Sequence, residues 1–280
     1  MLANDPDADR LAAAVALPGG GYRVLSGNET GALLADDAIE HARTARPKLV
    51  VTTVVSSSLL SRMARDRGVA CRETLTGFKW ICDAALRAER EEGLAFVFGY
   101  EEALGYTVGT LVRDKDGIGA AVRLAEAARA LKARGTTLAE RLDDLLVAHG
   151  LSHQAQWSVT LPGAEGRARI VAAMERLRKE PLARLGASAV AACSTRGSGV
   201  VRAGGEARPS GLPPSDVMQF QAEDGSRLTV RPSGTEPKIK FYLELTGRAA
   251  SRPEVATARA RLDAEAKALK AALLPELKLA

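Results

Sequence analysis

Aromatic residues make up only 4% of this 280-residue chain, and histidine appears three times. So thin an aromatic content argues against a surface on which nucleic-acid bases stack. His41, His149 and His153 form no HExxH or other metal-ligand spacing, and none stands in a recognisable relation to a nucleophile. The GxSxG pattern is also absent, and no serine is marked as a nucleophile. Cysteine is limited to Cys71, Cys82 and Cys193, an odd count without metal-ligand spacing. A disulfide framework is therefore set aside and a reducing cytoplasm is expected. No apolar run nears the ~20 residues that cross a bilayer. The first residues carry acids where a secretory signal carries basic residues and an apolar core. Neither a membrane nor a nucleic acid is an expected partner.

What is present is globular: 46% hydrophobic and 26% charged residues, with 39 basic against 34 acidic side chains. The net charge of +5 suits anionic substrates and makes no specific case for nucleic acid. Patterning then predicts a fold. "KLVVTTVV", "VACRETL" and "LAFVFG" read as strands, each followed by a helical or polar segment. "SSSLLSRMARDRG" and "GFKWICDAALRAEREE" are the intervening helices, closed by Gly68 and Gly93. Such alternation implies an α/β/α domain of three layers around a mostly parallel sheet, its ligands at the loops beyond the strand C-termini. After about Gly150 the rhythm changes. "DVMQFQAEDGSRLTVRPSG" reads as two antiparallel strands about an Asp-Gly turn and "KIKFYLELTG" as a third, giving a smaller α+β domain. Ahead of them, "LGASAVAACSTRGSGVVRAGGEARPSG" has little large apolar content and reads as a mobile loop.

Four stretches carry candidate chemistry. "DPDADR" sets Asp5, Asp7 and Asp9 at alternating positions. On an extended strand they would point one way, whereas a loop could wrap them around one ion. Either they form a solvated acidic turn, or they supply hard oxygen ligands to magnesium or a similar cation. In "GYEEALGY", adjacent Glu101 and Glu102 point in different directions, so one of them can accept hydrogen bonds from sugar hydroxyls. Lys79 follows a Thr-Gly turn at a helix start, where a cation opposes the helix dipole and suits an anion or sugar oxygen instead. In "RPSGTEPKIK", Arg231 offers a fork of donors, Ser233 and Thr235 offer hydroxyls, and Gly234 lets the backbone turn inward. These are the ingredients of a phosphate-binding nest, with a rigid solvent loop as the plainer reading.

"NDPDADR", "SGNETGALLADD", "ETLTGFKWI", "FGYEEALGY", "VRDKDGI" and "RPSGTEPKIKFYLE" occur in an order that resembles the α-D-phosphohexomutase superfamily, the phosphoglucomutase/phosphomannomutase group. The resemblance implies a mutase that moves a phosphoryl group between the C1 and C6 oxygens of a hexose, through a phosphoserine and a sugar bisphosphate. It implies Mg²⁺ on Asp5, Asp7 and Asp9, with Arg10 helping with charge in the same loop. Asn28, Glu29, Lys79 and Glu101 would then face the sugar, and Arg231, Ser233, Gly234, Thr235 and Lys238 would grip the phosphate that is not being transferred. Residues 1–26 would be the end of the second mutase domain with the metal loop, 27–150 the third domain, and 151–280 the C-terminal phosphate-binding domain. A Thr-Ala-Ser-His-Asn-Pro-like loop is absent from the 280 residues, and Ser56, Ser57 and Ser58 sit elsewhere in the pattern. The resemblance thus implies a fragment inactive in isolation: either a truncated gene product, or a chain whose first half an upstream polypeptide supplies. A non-catalytic phosphosugar-binding protein or subunit is the alternative, as is phosphopentomutase-like activity if the missing domains are supplied.

Overall fold

A computed structural model describes residues 1–17, 19–195, 200–203, 206–209, 215–234 and 236–279. Two compact units emerge: Met1–Gly150 with Ala249–Val255, and Leu151–Arg248 with Ala256–Ala280. Among the described residues, no helix is long and apolar enough to cross a membrane.

The first unit opens with β1 (Leu2–Asn4), β2 (Leu11–Ala16) and β3 (Tyr22–Val24), an antiparallel sheet of three strands. Alternation then takes over, with α1 (Gly27–His41), β4 (Lys48–Thr53), α2 (Leu59–Asp66), β5 (Ala70–Thr74), α3 (Phe78–Glu91), β6 (Ala95–Glu101), β7 (Gly105–Val108), α4 (Gly117–Ala133) and α5 (Leu138–His149). The second sheet runs β5-β4-β6-β7. β4 is parallel to β5 and β6, but β7 is antiparallel to β6.

The expected mostly parallel sheet is therefore corrected: this sheet is mixed, and the chain's remaining sheets are antiparallel. The cause is loop length. Only Glu102–Leu104 separate β6 from β7, and a parallel return needs a crossover of a dozen residues or more.

β6 serves both sides of its sheet because its register shifts beside β4: Leu49 faces Phe96, but Val50 faces Phe98. The extra residue sends Phe96 into a cluster with Leu49, Val51, Ile81 and Ala85, below α3. Phe98 and Tyr100 stack with each other instead, and the Tyr100 ring fills the space beside Gly31 of α1.

One buried charge fastens the helices of this unit. Asp36 on α1 receives Arg141 of α5 through Nε and Nη2, at 2.7 and 2.8 Å. It also receives Arg67, just past α2. Burial alone would raise the Asp36 carboxyl, but the hydrogen bonds and charges of Arg141 and Arg67 outweigh it and hold it below the usual range.

The second unit contains β8 (Leu151–Thr160), α6 (Gly163–Lys179), β9 (Arg184–Leu185), β10 (Ser188–Thr195), β11 (Val200–Ala203), β12 (Glu206–Pro209), β13 (Met218–Ala222), β14 (Arg227–Pro232), β15 (Lys238–Gly247) and most of α7 (Arg252–Glu276). Its antiparallel sheet runs β12-β11-β10-β13-β14-β15-β8, with β9 beside β10. Trp157 and Phe241 stack at 5.2 Å in its core, and Arg227 pairs with Glu244 at 2.6 Å inside it.

The stretch expected to be a mobile loop is corrected too, since it contributes β10, β11 and β12; its residues 196–199, 204–205 and 210–211 lie outside the described ones. Small side chains suffice in β10 because the adjoining β13 carries Met218 and Phe220, both fully buried.

Asp36→Asn is expected to cost about 1–3 kcal/mol, because two partly buried guanidinium groups lose their anion. The carboxylate's contribution is present above the ordinary aspartate range, near pH 3.9, and is lost as pH falls through the depressed native value. Urea unfolding across pH 2–7 checks both points: the variant should start less stable and show a shallower loss in acid.

Candidate functional site

Near the N-terminus the backbone is tied down. Met1 exchanges hydrogen bonds with Ala14, and Asn4 pairs with Leu11, so residues 5–10 form the tip of a hairpin. Pro6 suits the second position of the turn that Ala8 N–H closes onto the Asp5 carbonyl at 2.9 Å. Ala8 then adopts φ 56°, which reverses the chain between Asp7 and Asp9. The carboxylates thus converge through a loop and not through strand alternation. One oxygen each from Asp5, Asp7 and Asp9 lies within 4.8 Å of the others.

Two contacts set the charges there. Arg10 N–H donates to Asp5 Oδ1 at 3.0 Å and, with the Arg10 charge, holds the Asp5 carboxyl below its usual range. Lys115 Nζ lies 2.8 Å from Asp9 Oδ2. Asp9 Oδ1 is buried and, among the described residues, has no hydrogen-bond partner. A buried carboxylate oxygen without a donor fits a cation ligand better than a solvated turn does. Gly117, the first residue of α4, closes the loop from behind: a side chain there would overlap the Arg10 and Ala8 carbonyls.

The β6–β7 turn is stitched to the same hairpin. Leu11 N–H donates to the Leu104 carbonyl at 3.1 Å, and Arg10 bridges to Gly105. Glu101 and Glu102 leave this turn in different directions. Glu101 Oε1 accepts the Gly77 N–H at 2.6 Å, where α3 begins. Glu102 turns inward to Ser56 Oγ at 3.2 Å and Thr53 Oγ1 at 3.4 Å, and its own N–H donates to Ser56 Oγ. Burial pushes the Glu102 carboxyl up, and the neighbouring Glu101 charge adds to the rise.

The remaining expected residues of this unit have varied surroundings. Asn28 Oδ1 accepts the Ser57 N–H at 2.8 Å and the Tyr100 hydroxyl at 2.9 Å. The Glu29 carboxylate closes the capping box with Ser26 and takes the Arg23 guanidinium at 2.9 and 3.1 Å. Lys79 is exposed, its Nζ 5.3 Å from the Trp80 ring. Gly27 is packed so tightly that a side chain would overlap the Glu102 carbonyl.

In the second unit, residues 233–237 link β14 to β15. Ser233 N–H donates to the Lys238 carbonyl at 2.7 Å, and Ser233 Oγ accepts the Glu236 N–H at 3.2 Å. Gly234 is exposed, and Thr235 lies outside the described residues. Arg231 sits directly across from Lys240, with Lys238 two positions along the same strand. Arg231, Lys238 and Lys240 thus place three cationic residues at this end of the hairpin.

Sequence reasoning passed over Lys115 and Lys240. Lys115 lay in the quoted "VRDKDGI", and the alternation "KIK" could have flagged Lys240. The sequence separates Glu101 from Glu102 by direction, but the Glu102 partners Thr53 and Ser56 lie at the distant β4–α2 connection.

Comparison with known proteins covers both units. A family described as phosphoglucomutase/phosphomannomutase, alpha/beta/alpha domain III, matches residues 26–148, and its C-terminal domain matches 161–264. A probable phosphomannomutase of Haemophilus influenzae is 36% identical over 249 residues, which are 89% of this chain and 46% of that protein. A phosphoglucomutase of Staphylococcus aureus is 32% identical over 247 residues, 88% of this chain and 44% of its own. The chain therefore spans about half the length of these curated relatives. Among solved structures, the open form of the Paramecium phosphoglucomutase pp63/parafusin shares the fold at a TM-score of 0.66 and 19% identity. That alignment covers 98% of this chain and 45% of the other.

Because the Glu102 shift is upward, its contribution to folding is full below about pH 4.3, the ordinary glutamate value, and declines as pH rises through the native one. Glu102→Gln is expected to remove that decline, so the variant should gain on the parent between pH 5 and 8. Paired urea midpoints across this range provide the measurement.

Proposed function

From the premise that this chain belongs to the phosphoglucomutase/phosphomannomutase family, we propose that it supplies the metal loop, sugar-binding turn and phosphate hairpin of a hexose-phosphate mutase. The reaction is transfer of a phosphoryl group between the C1 and C6 oxygens of a hexose by way of a bisphosphorylated sugar. The observation that carries the reading is the convergence of Asp5, Asp7 and Asp9 on a loop stitched to the turn bearing Glu101.

In this reading, residues 1–26 are the end of the second mutase domain, 27–150 the third, and 151–280 the C-terminal one. Asp5, Asp7 and Asp9 hold Mg²⁺, which when bound neutralises phosphoryl oxygens during transfer. Supporting that role are the three clustered oxygens and the donorless Asp9 Oδ1. Arg10 adds positive charge at the edge of the loop, 3.6 Å from Asp5. Glu101 accepts from sugar hydroxyls while its other oxygen stays anchored on Gly77 N–H, and Lys79, Asn28 and Glu29 serve the same turn region. Asn28 and Glu29 act mainly by holding the start of α1, since their carbonyl and carboxylate oxygens already bind Tyr100, Ser57, Ser26 and Arg23.

Arg231, Ser233, Gly234, Thr235 and Lys238 grip the phosphate that stays put. A fork and point charges suit this task, because the substrate must be accepted in two orientations. The phosphoserine that donates and recovers the phosphoryl group belongs to a polypeptide segment outside these 280 residues.

Two measurements test this. Calorimetric titration with glucose 6-phosphate should show binding, weakened roughly ten- to a hundredfold by Arg231→Ala through loss of charge-assisted hydrogen bonds. Equal binding by both chains removes the phosphate grip. Addition of a polypeptide carrying the phosphoserine loop, with Mg²⁺ and catalytic glucose bisphosphate, should yield turnover of glucose 1-phosphate. Binding without turnover in that mixture favours a phosphosugar-binding subunit, and faster turnover of a pentose phosphate favours a phosphopentomutase.

A further inference from the structure

The acidic hairpin already carries a cation, and it belongs to the protein. The Lys115 stem runs past Gly105, where an added side chain would come within 2.8 Å of its Cδ. Its ammonium lies 5.9 Å from the Phe78 ring centre and ends 2.8 Å from Asp9 Oδ2. The side chain is only 17% exposed, so the packing of its neighbours fixes this position. Arg10, the other cation at the loop, stands 3.6 Å from Asp5 and is far more open to solvent. Lys115 also has a second anion within reach, Asp114 Oδ1 at 3.3 Å.

We propose that Lys115 is a resident counter-ion of the Asp5–Asp7–Asp9 loop, displaced from Asp9 when a divalent cation binds. The inference rests on reading these aspartates as cation ligands. Without a metal, the ammonium offsets the mutual repulsion of the carboxylates, while the backbone contacts at Leu104 and Gly117 hold the loop in its converged form. A dication on the same carboxylate repels the ammonium across a few ångströms, and Lys115 yields because Asp114 offers it another partner. Metal uptake thereby releases a positive charge beside Gly105, which pairs with Glu101 in the β6–β7 turn. An ordinary structural salt bridge would behave in the opposite sense: cutting it would loosen the loop and weaken metal binding.

The test is calorimetric titration of the full chain with Mn²⁺, comparing the parent, Lys115→Met and Lys115→Arg. Removing the charge should tighten Mn²⁺ binding roughly ten- to a hundredfold, and arginine should return the affinity toward the parent value. A second measurement uses the unaltered protein. Acetylation by an amine reagent, read by peptide mass spectrometry, should rise several-fold at Lys115 with saturating Mg²⁺ while exposed Lys79 and Lys132 stay constant. Mn²⁺ affinity that is unchanged or weaker in Lys115→Met, or labelling indifferent to Mg²⁺, overturns the exchange and leaves the metal reading intact. If neither the parent nor the variants bind Mn²⁺, the cation reading of the aspartates falls and the exchange falls with it.

Discussion

Backbone-to-backbone packing without room for a side chain governs the first unit. At Gly27 the start of α1 presses on the Glu102 carbonyl, and at Gly117 the start of α4 presses on the carbonyls of Ala8 and Arg10. Two helix N-termini thus meet the two loops that carry the candidate ligands. Glu101 reaches a third helix start, where its carboxylate accepts the Gly77 N–H at the head of α3. A methyl group at either glycine would separate these parts before affecting any chemistry.

The two units divide electrostatic labour by local construction. In the first, carboxylates concentrated on one hairpin are balanced by Arg10 and Lys115, each from a different direction. In the second, Arg231, Lys238 and Lys240 concentrate positive charge at the end of the β14–β15 hairpin. Each arrangement gathers like charges at one end of a hairpin. A small overall charge of +5 conceals both, because acids and bases cancel in the sum but not in place.

Much of this was legible in the sequence where the cause is local. β4 and β6 announce themselves by short apolar runs, and Gly68 and Gly93, with φ of 66° and 68°, close the segments after α2 and α3 as the pattern suggests. The Asp cluster was legible because its members are neighbours in the chain, although their loop geometry required Ala8 to turn left-handed. The sheet direction was misread because alternation of strands and helices was weighed without the short 102–104 connection. β10 was misread because its small residues take their apolar cover from β13, which no local window contains. Lys115 escaped for a similar reason, being defined by its contact with the distant Asp9; the divergence of Glu101 and Glu102 was legible, but the Glu102 partners Thr53 and Ser56 were not.

The bond from Leu11 to Leu104 has a consequence for the order in which the chain folds. The hairpin β6–β7 closes across Glu102–Leu104 and can form early, because short loops cost little entropy. The acidic tip cannot take its final shape so soon, since its supports at Leu104 and Gly117 come from far along the chain. Repelling carboxylates are therefore brought together only after the sheet and α4 are in place to restrain them. By the same logic the tip at residues 5–10, supported from Leu104 and Gly117, loses its shape when either segment is released. The order that spares the nascent chain a charged knot also makes an intact acidic tip a report on the folding of the whole unit.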